Sequence, residues 1–286
     1  MVLATAATLD IMAERYGEGF AGQAQKLAYG ETVGRDGVAV SLAPAGHVLG
    51  SAQAVVRWKG MTIVVSGDYK RRRDPTCAPF EPVACEVFVS EATFALPVFR
   101  HPPDTDEIGK LLKSVAQFPE RAHMVGAYAL GKAQRIIGLL REAGFDRTIY
   151  VHGAMEKLNS LYERHGVSLG PLAPATGAEG DLAGEIIIAP PGALAERWAR
   201  RFADPVSAFA SGWMGVRARA RQRAVELPLV ISDHADWDEL TGTVAELRPA
   251  ELWITHGREE ALARWAALND IAARPLSLVG YEDEDV

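Results

Sequence analysis

Cysteine is nearly absent: Cys77 and Cys85, in PTCAPFEPVACEVF, are the only two in 286 residues. Two thiols so placed build neither a disulfide framework nor a zinc knuckle, and both are expected to be reduced and structural. No apolar run approaches the roughly 20 residues of a membrane span. The opening MVLATAATLDIMAERYGEG lacks the basic start and the small-residue cleavage site of a secretory leader. A soluble, cytoplasmic protein without a membrane partner is the expectation. Positive charge is in deficit, 30 Lys and Arg against 37 Asp and Glu, for a net −7, which counts against a chain-wide affinity for polyphosphate. Repeats and low-complexity tracts are lacking too, and the acidic end YEDEDV reads as a frayed, solvated tail.

What basic charge there is sits in two clusters, Lys70-Arg71-Arg72-Arg73 and the Arg217, Arg219, Arg221 and Arg223 of VRARARQR. With 48% hydrophobic residues the chain can bury a large core, and its periodicity is that of an α/β protein. Strands are expected over 38–42, 53–58 and 61–66, turned by Lys59-Gly60 into an antiparallel meander, with another over 87–90. Beyond Pro97, Pro102 and Pro103 the pattern alternates. A helix places Ile108, Leu111, Leu112 and Val115 on one face, and a buried strand spans 122–127. A helix over 132–142 ends near Gly144, a strand spans 148–151, a helix 155–164, and a strand over 185–189 stops at Pro190-Pro191. Such alternation implies a parallel sheet of its own. A strand over 229–232, a helix over 237–247, a strand over 252–255 and a helix over 259–268 then follow. The expected plan is a core of residues 1–95 and 228–286 interrupted by an inserted α/β domain of residues 96–227.

Four ionisable side chains stand just past the ends of apolar strands, where α/β proteins build sites: Asp68, Glu91, His234 and His256. His47, in the glycine-flanked bend PAGHVLGSA, is a fifth. Singly, each has an ordinary structural reading, since Gly-Asp is a common turn pair and a lone histidine is usually a hydrogen-bonded one. Together they are the histidine and carboxylate donors that zinc or manganese accepts, and an aspartate with two oxygens can bridge two ions.

In these residues the chain resembles the metallo-β-lactamase-fold nucleases of the β-CASP group, over essentially its whole length. PAGHVLGSA is similar to the family's third motif, which makes His47 a metal ligand, and SGDYKRRRDP to its fourth, which makes Asp68 the bridging aspartate. SEATF resembles acidic motif A at Glu91, SDHADWDEL motif B with His234 as proton donor, and WITHGREEA motif C with His256 on a second metal. AYALGKAQRIIGLL is similar to a segment inside the family's insertion. The wording is nearest to bacterial ligase-associated DNA exonucleases, also labelled mRNA 3′-end processing factors. The resemblance implies an αββα sandwich carrying a Rossmann-like β-CASP insertion. It implies two divalent ions, Zn or Mn, that lower the pKa of a bridging water, and a His234 oriented by Glu91 that protonates the leaving oxygen. The implied substrate is DNA, in repair beside a DNA ligase and a helicase; RNA, or a non-catalytic nucleic-acid-binding role, are the alternatives.

The family's principal metal motif, HxHxDH, has no counterpart, since no histidine precedes His47. MVLATAATLDIMAERYG is similar to the segment that follows that motif. By resemblance, then, the chain begins inside the fold, through a misplaced start or a true loss, with the N-terminal part of the sandwich missing. His47 and Asp68 would remain for one ion, Asp68 and His256 for the other. Catalytic zinc ordinarily takes three protein ligands plus water, so weakened metal binding and little activity are the expectation.

GAYALGKA matches the G-x-x-x-x-G-K part of a P-loop between a strand and a helix, but Ala133 replaces the magnesium-binding hydroxyl. Nucleotide hydrolysis is thereby disfavoured, while Lys132 at the helix start could hold a substrate phosphate. The arginines at 217, 219, 221 and 223 share one face if the segment is a strand, either as a charged edge or as a phosphate track leading to His234. His101, His123, His152 and His165 fit no metal motif and read as structural.

Overall fold

The computed structural model describes residues 1–178, 180, 182–223 and 225–276; the acidic tail YEDEDV lies outside them. Among these residues the strands form three sheets. Strand β1 (Val2–Ala4) leads into helix α1 (Ala6–Tyr16), capped by the Thr5 hydroxyl, and pairs in parallel with β2 (Ala24–Lys26). Next, β3 (Thr32–Arg35), β4 (Val38–Pro44), β5 (Ala52–Trp58) and β6 (Met61–Val65) form the expected antiparallel meander, and β7 (Val87–Ala92) lies parallel to β6.

A second sheet follows. Helix α2 (Asp104–Gln117), β8 (His123–Gly126), α3 (Lys132–Glu142), β9 (Ile149–Val151), α4 (Glu156–Arg164), β10 (Leu172–Pro174), β11 (Ile186–Ala189), β12 (Val206–Ala210), α5 (Arg217–Gln222) and β13 (Leu227–Leu229) come in chain order. Its six strands are all parallel, in the order β10-β9-β11-β8-β12-β13. Helix α6 (Trp237–Leu247), β14 (Glu251–Gly257), α7 (Glu259–Leu268) and β15 (Ala272–Pro275) then complete the first large sheet, a seven-stranded one ordered β15-β14-β7-β6-β5-β4-β3.

Two expectations fail here. No strand spans 229–232, the range assigned to the core: the strand there, β13 (Leu227–Leu229), shares only Leu229 with it and pairs with β12 in the second sheet. Leu229 and Ile231 belong to that sheet's buried cluster, whereas Ala235 belongs to the other, so the chain crosses between them at residues 232–234 rather than at 228. VRARARQR is not a strand. It forms α5, with Ala220 and Arg223 N–H groups bonded four residues back to the carbonyls of Val216 and Arg219. Alanine and arginine are both strong helix formers, and that preference overrides the period of two.

One face of the seven-stranded sheet packs Val55, Val64, Phe88, Leu252 and Ile254 against Leu240 and Val244 of α6 and Leu262 and Ala266 of α7. The opposite face is also apolar. Val40, Val56 and Ile63 align across β4, β5 and β6, and Val65, Val89 and Trp253 across β6, β7 and β14. Val65 is 39% exposed, and Val40, Val56, Ile63, Val65 and Trp253 belong to no buried cluster of the described residues. Strands apolar on both sides are built to be covered on both sides.

The two large sheets are tied together by buried charge. Arg135 of α3, 0% exposed, reaches Asp74 Oδ2 (2.9 Å) from the loop after β6 and Asp104 Oδ2 (2.6 Å) from α2. The basic run at 70–73 is neutralised within the fold: Lys70 pairs with Glu239, Arg71 with Glu246, Arg72 with Asp236 and Arg73 with Glu142. Cys77 and Cys85 are free and half-buried, and burial pushes the Cys85 thiol up to about 11. Among the described residues no helix is long and apolar enough to cross a membrane.

Candidate active site between the two large sheets

The bend that carries His47 is shaped by glycine for a steric reason. Gly46 has φ 73°, and a Cβ there would lie 2.3 Å from the Lys70 carbonyl oxygen. The Ser51 hydroxyl closes the turn by accepting the N–H groups of His47 (3.1 Å) and Val48 (3.2 Å). The His47 ring is oriented through Nδ1, which donates to the Asp233 carbonyl at 3.0 Å. Its Nε2 is left 3.8 Å from Asp68 Oδ2. Asp68 follows β6 and keeps 43% of its side chain exposed.

Glu91 ends β7 from the other side and is buried. Its Oε1 accepts the Tyr69 N–H (2.7 Å); its Oε2 accepts the Thr93 hydroxyl (2.5 Å) and faces His234 Nδ1 at 3.0 Å. Burial alone would raise this carboxyl, but the His234 charge and the three hydrogen bonds hold it below the usual carboxylate range. His234 shows the complementary effect. Burial would lower the imidazole, yet Glu91 first, then Asp233 and Asp68, raise it to about 9. The neutral-pH state without metal is therefore an imidazolium on a carboxylate, with the ring centroid 4.7 Å from that of His47.

Asp233 completes the arrangement. Its Oδ1 lies 2.6 Å from Lys132 Nζ and 3.9 Å from His234 Nε2. Burial pushes this carboxyl up, but Lys132, His234 and His47 together hold it far below its ordinary value. Donor atoms of His47, Asp68 and His234 all lie within 4.8 Å of one another. The His47–Asp68 gap exceeds a hydrogen bond yet stays within the span of two donors each about 2 Å from one ion. The backbone carbonyl on Nδ1 is the outer partner that metal-binding histidines ordinarily have. A divalent ion fits this pair.

Of the residues expected from sequence, His47, Asp68, Glu91 and His234 converge. His256 does not join the cluster. β14 is bulged between Thr255 and Gly257, His256 has φ 60°, and its side chain is exposed beside Gly257, which packs on the Ala92 backbone. Nor is Lys132 a free phosphate ligand. It is 3% exposed, and its ammonium donates to Asp233 and to the Ile231 carbonyl, while Val48 fills the space a P-loop keeps open, 2.2 Å from a Cβ placed on Gly131. The arginines of α5, and Arg223 just past its end, lie on two faces: half-buried Arg219 covers the Trp213 ring at 4.1 Å and Arg223 the Phe209 ring at 5.2 Å, and Arg217, Arg221 and Arg223 are exposed. His101, His123, His152 and His165 lie outside the donor cluster. His123 bonds Ser114, His165 pairs with Asp10, His152 accepts the Ala154 N–H, and His101 packs on Phe94. Sequence reasoning missed Asp233 and Thr93. Asp233 stands in the motif around His234, but its partner Lys132 is 101 residues away.

No protein-family model matches the chain. It is 28% identical over 250 residues to a protein named Probable DNA ligase from Opitutus terrae, a match covering 81% of this chain and 24% of that protein. It is 32% identical over 122 residues to Cleavage and polyadenylation specificity factor subunit 3 of Dictyostelium discoideum, covering 41% of this chain and 16% of that one. With Endoribonuclease ysh1 of Aspergillus fumigatus the figures are 34% over 104 residues, 35% and 12%. The matches thus span at most about a quarter of these relatives' length. A crystal structure of a protein of unknown function from Enterococcus faecalis has the same fold, with TM-score 0.64 over 98% of this chain and 74% of that one, at 14% identity.

Proposed function

The chain is related to the metallo-β-lactamase-fold β-CASP nucleases, and from that premise we propose that it is a metal-dependent phosphodiesterase acting on nucleic acid. More narrowly, we propose a DNA exonuclease working beside a DNA ligase, built as an αββα sandwich with a β-CASP insertion. The half-exposed apolar face of the seven-stranded sheet supports the sandwich, since a second layer would cover it. The match to the ligase-named protein, extending over 81% of the chain, supports DNA over the RNA reading, whose relatives match 35–42% of it.

The observation that carries the proposal is the Glu91–His234 pair beside the His47–Asp68 donor pair. His47 and Asp68 would hold the divalent ion, Zn or Mn, which when bound supplies a Lewis acid and an acidic water. His234, kept protonated by Glu91, delivers its proton to the leaving oxygen. Glu91 itself is fixed by Tyr69 and Thr93, so the imidazolium has a single orientation. Lys132 neutralises Asp233, which removes a competing acceptor for that proton. Of the donors that meet among the described residues, His47 and Asp68 are the two assigned to the ion, and turnover is expected to depend on added metal.

The test is cleavage of end-labelled DNA and RNA single strands of one sequence, with Mn or Zn titrated in and then chelated. Metal-dependent cleavage of DNA, lost in His47→Ala, is expected. Preference for RNA would transfer the chain to RNA 3′-end processing. Binding that survives chelator with no cleavage at any metal concentration would make it a non-catalytic relative.

A further inference from the structure

Beyond the phosphodiester chemistry, the molecule carries an aromatic ladder that the proton-transfer groups do not use. In the parallel sheet β8 has β11 on one side and β12 on the other, and the direction of winding reverses there: β9, β10 and β11 all lie on one side of β8, and the chain then passes to β12 and β13 on the other. Crevices outside the carboxyl ends of strands at such a reversal are where open α/β sheets bind ligands. The segment leaving β12 there is Ser211-Gly212-Trp213. Gly212 lets the Phe94 ring lie on its backbone, since a Cβ would sit 2.5 Å from Phe94 Cζ. Trp213 then packs on Phe94 (centroids 4.8 Å) and Phe99 (4.9 Å), and Phe94 lies 6.3 Å from the His234 ring. Trp213 is thus two ring contacts from the imidazolium.

The half-buried indole is covered by a planar cation, the Arg219 guanidinium at 4.1 Å. On one side Arg219 of α5 and Arg223, the residue that caps its end, lie four residues apart over aromatic rings, Arg219 half-buried and Arg223 exposed; on the other side Arg217 and Arg221 are exposed. No carboxylate pairs with any of the four among the described residues, whereas every cation of the 70–73 run is paired. In a chain of net charge −7, uncompensated guanidinium beside a stacked aromatic is the pairing that single-stranded nucleic acid recognises: cations follow the phosphates, flat groups take the bases.

Resting on the nuclease reading, we propose that Trp213 with Arg219 stacked on it is a platform for one base of a single-stranded substrate next to the phosphate being cut, with Arg217 and Arg221 on neighbouring phosphates. The base stacks on the guanidinium or displaces it from the indole. The platform reads no particular base, because every base has a flat face, and it holds the strand in line with His234.

The experiment titrates the chelated protein with a labelled DNA strand of about 12 nucleotides and with the same strand carrying one abasic sugar, moved position by position. Wild type loses about tenfold in affinity when the abasic sugar falls on the platform. Trp213→Leu loses about the same on the intact strand and has no abasic preference left. Arg219→Lys, which keeps the charge and loses the plane, behaves similarly with an unchanged salt slope. Arg217→Gln weakens both strands alike and lowers that slope by about one. Equal losses on intact and abasic strands in Trp213→Leu and Arg219→Lys would assign these residues to packing and overturn the platform, as would no loss in either. Wild-type binding with no abasic preference overturns the platform and leaves the nuclease reading standing; no binding of either strand removes both.

Discussion

Replacing Lys132 with methionine separates two roles for this side chain. The Lys132–Asp233 pair is closed at 2.6 Å, with side chains 4% and 11% exposed. At an effective dielectric of about 20, Coulomb attraction at that distance is roughly 6 kcal/mol. Desolvation of the two ions offsets part of this in the wild type, but the variant strands Asp233 as a buried, unpaired carboxylate. Breaking such a pair from one side costs about 3–5 kcal/mol. Urea unfolding of Lys132→Met should show a lower midpoint at unchanged slope, and Lys132→Met with Asp233→Asn should recover most of the loss. The pH dependence has a definite sign. Asp233 is held far below its ordinary value, so its contribution is present above about pH 3.9 and is lost as pH falls. The gap between wild type and variant is therefore widest near neutrality and closes in acid. A phosphate-binding lysine predicts unchanged stability and a salt slope reduced by about one; that result would refute the buried-pair account.

Three further outcomes follow from the same geometry. In chelated protein, His234 should titrate near 9. Its charge contributes stability that is full below about pH 6.5 and fades as pH rises through 9. Imidazole NMR in wild type and Glu91→Gln checks this, and a wild-type titration already at the ordinary value would contradict it. Arg135→Met leaves Asp74 and Asp104 without their shared cation and should cost about 3–5 kcal/mol, with Arg135→Lys intermediate because an ammonium cannot form both guanidinium contacts; urea unfolding reads it. Val56→Thr with Ile63→Thr should lower binding of a hydrophobic dye by the chain, because both residues lie on the uncovered sheet face, and unchanged dye binding would mean that face is not the exposed apolar surface.

Helices were the most legible part of the fold. The span 237–247 is read residue for residue because Asp236 and Glu239 form a capping box, and 132–142 because Gly144 follows its end at φ 82°. β12, Val206–Ala210, escaped notice because VSAFA has neither clear alternation nor strong β-branching. VRARARQR satisfies both a strand face and a helix of alternating alanine, and propensity decides between them. Within the site, motif context singled out His47, Asp68, Glu91 and His234, and the fold brings Glu91 and His234, 143 residues apart, to 3.0 Å. Backbone geometry was not legible. The bulge at His256 and the Val48 side chain that fills the space beside Gly131 depend on register and packing that no local pattern encodes.

The central claim is that Glu91 keeps His234 charged so that it can protonate the leaving oxygen. The direct measurement is the cleavage rate of wild type and His234→Ala on two substrates at saturating metal, one natural and one with sulfur in place of the leaving oxygen. A thiolate leaves without a proton, so the loss of about 100-fold or more expected on the oxygen substrate should nearly vanish on the sulfur one. Equal losses on both substrates would contradict the account and reassign His234 to the metal or to the structure of the site.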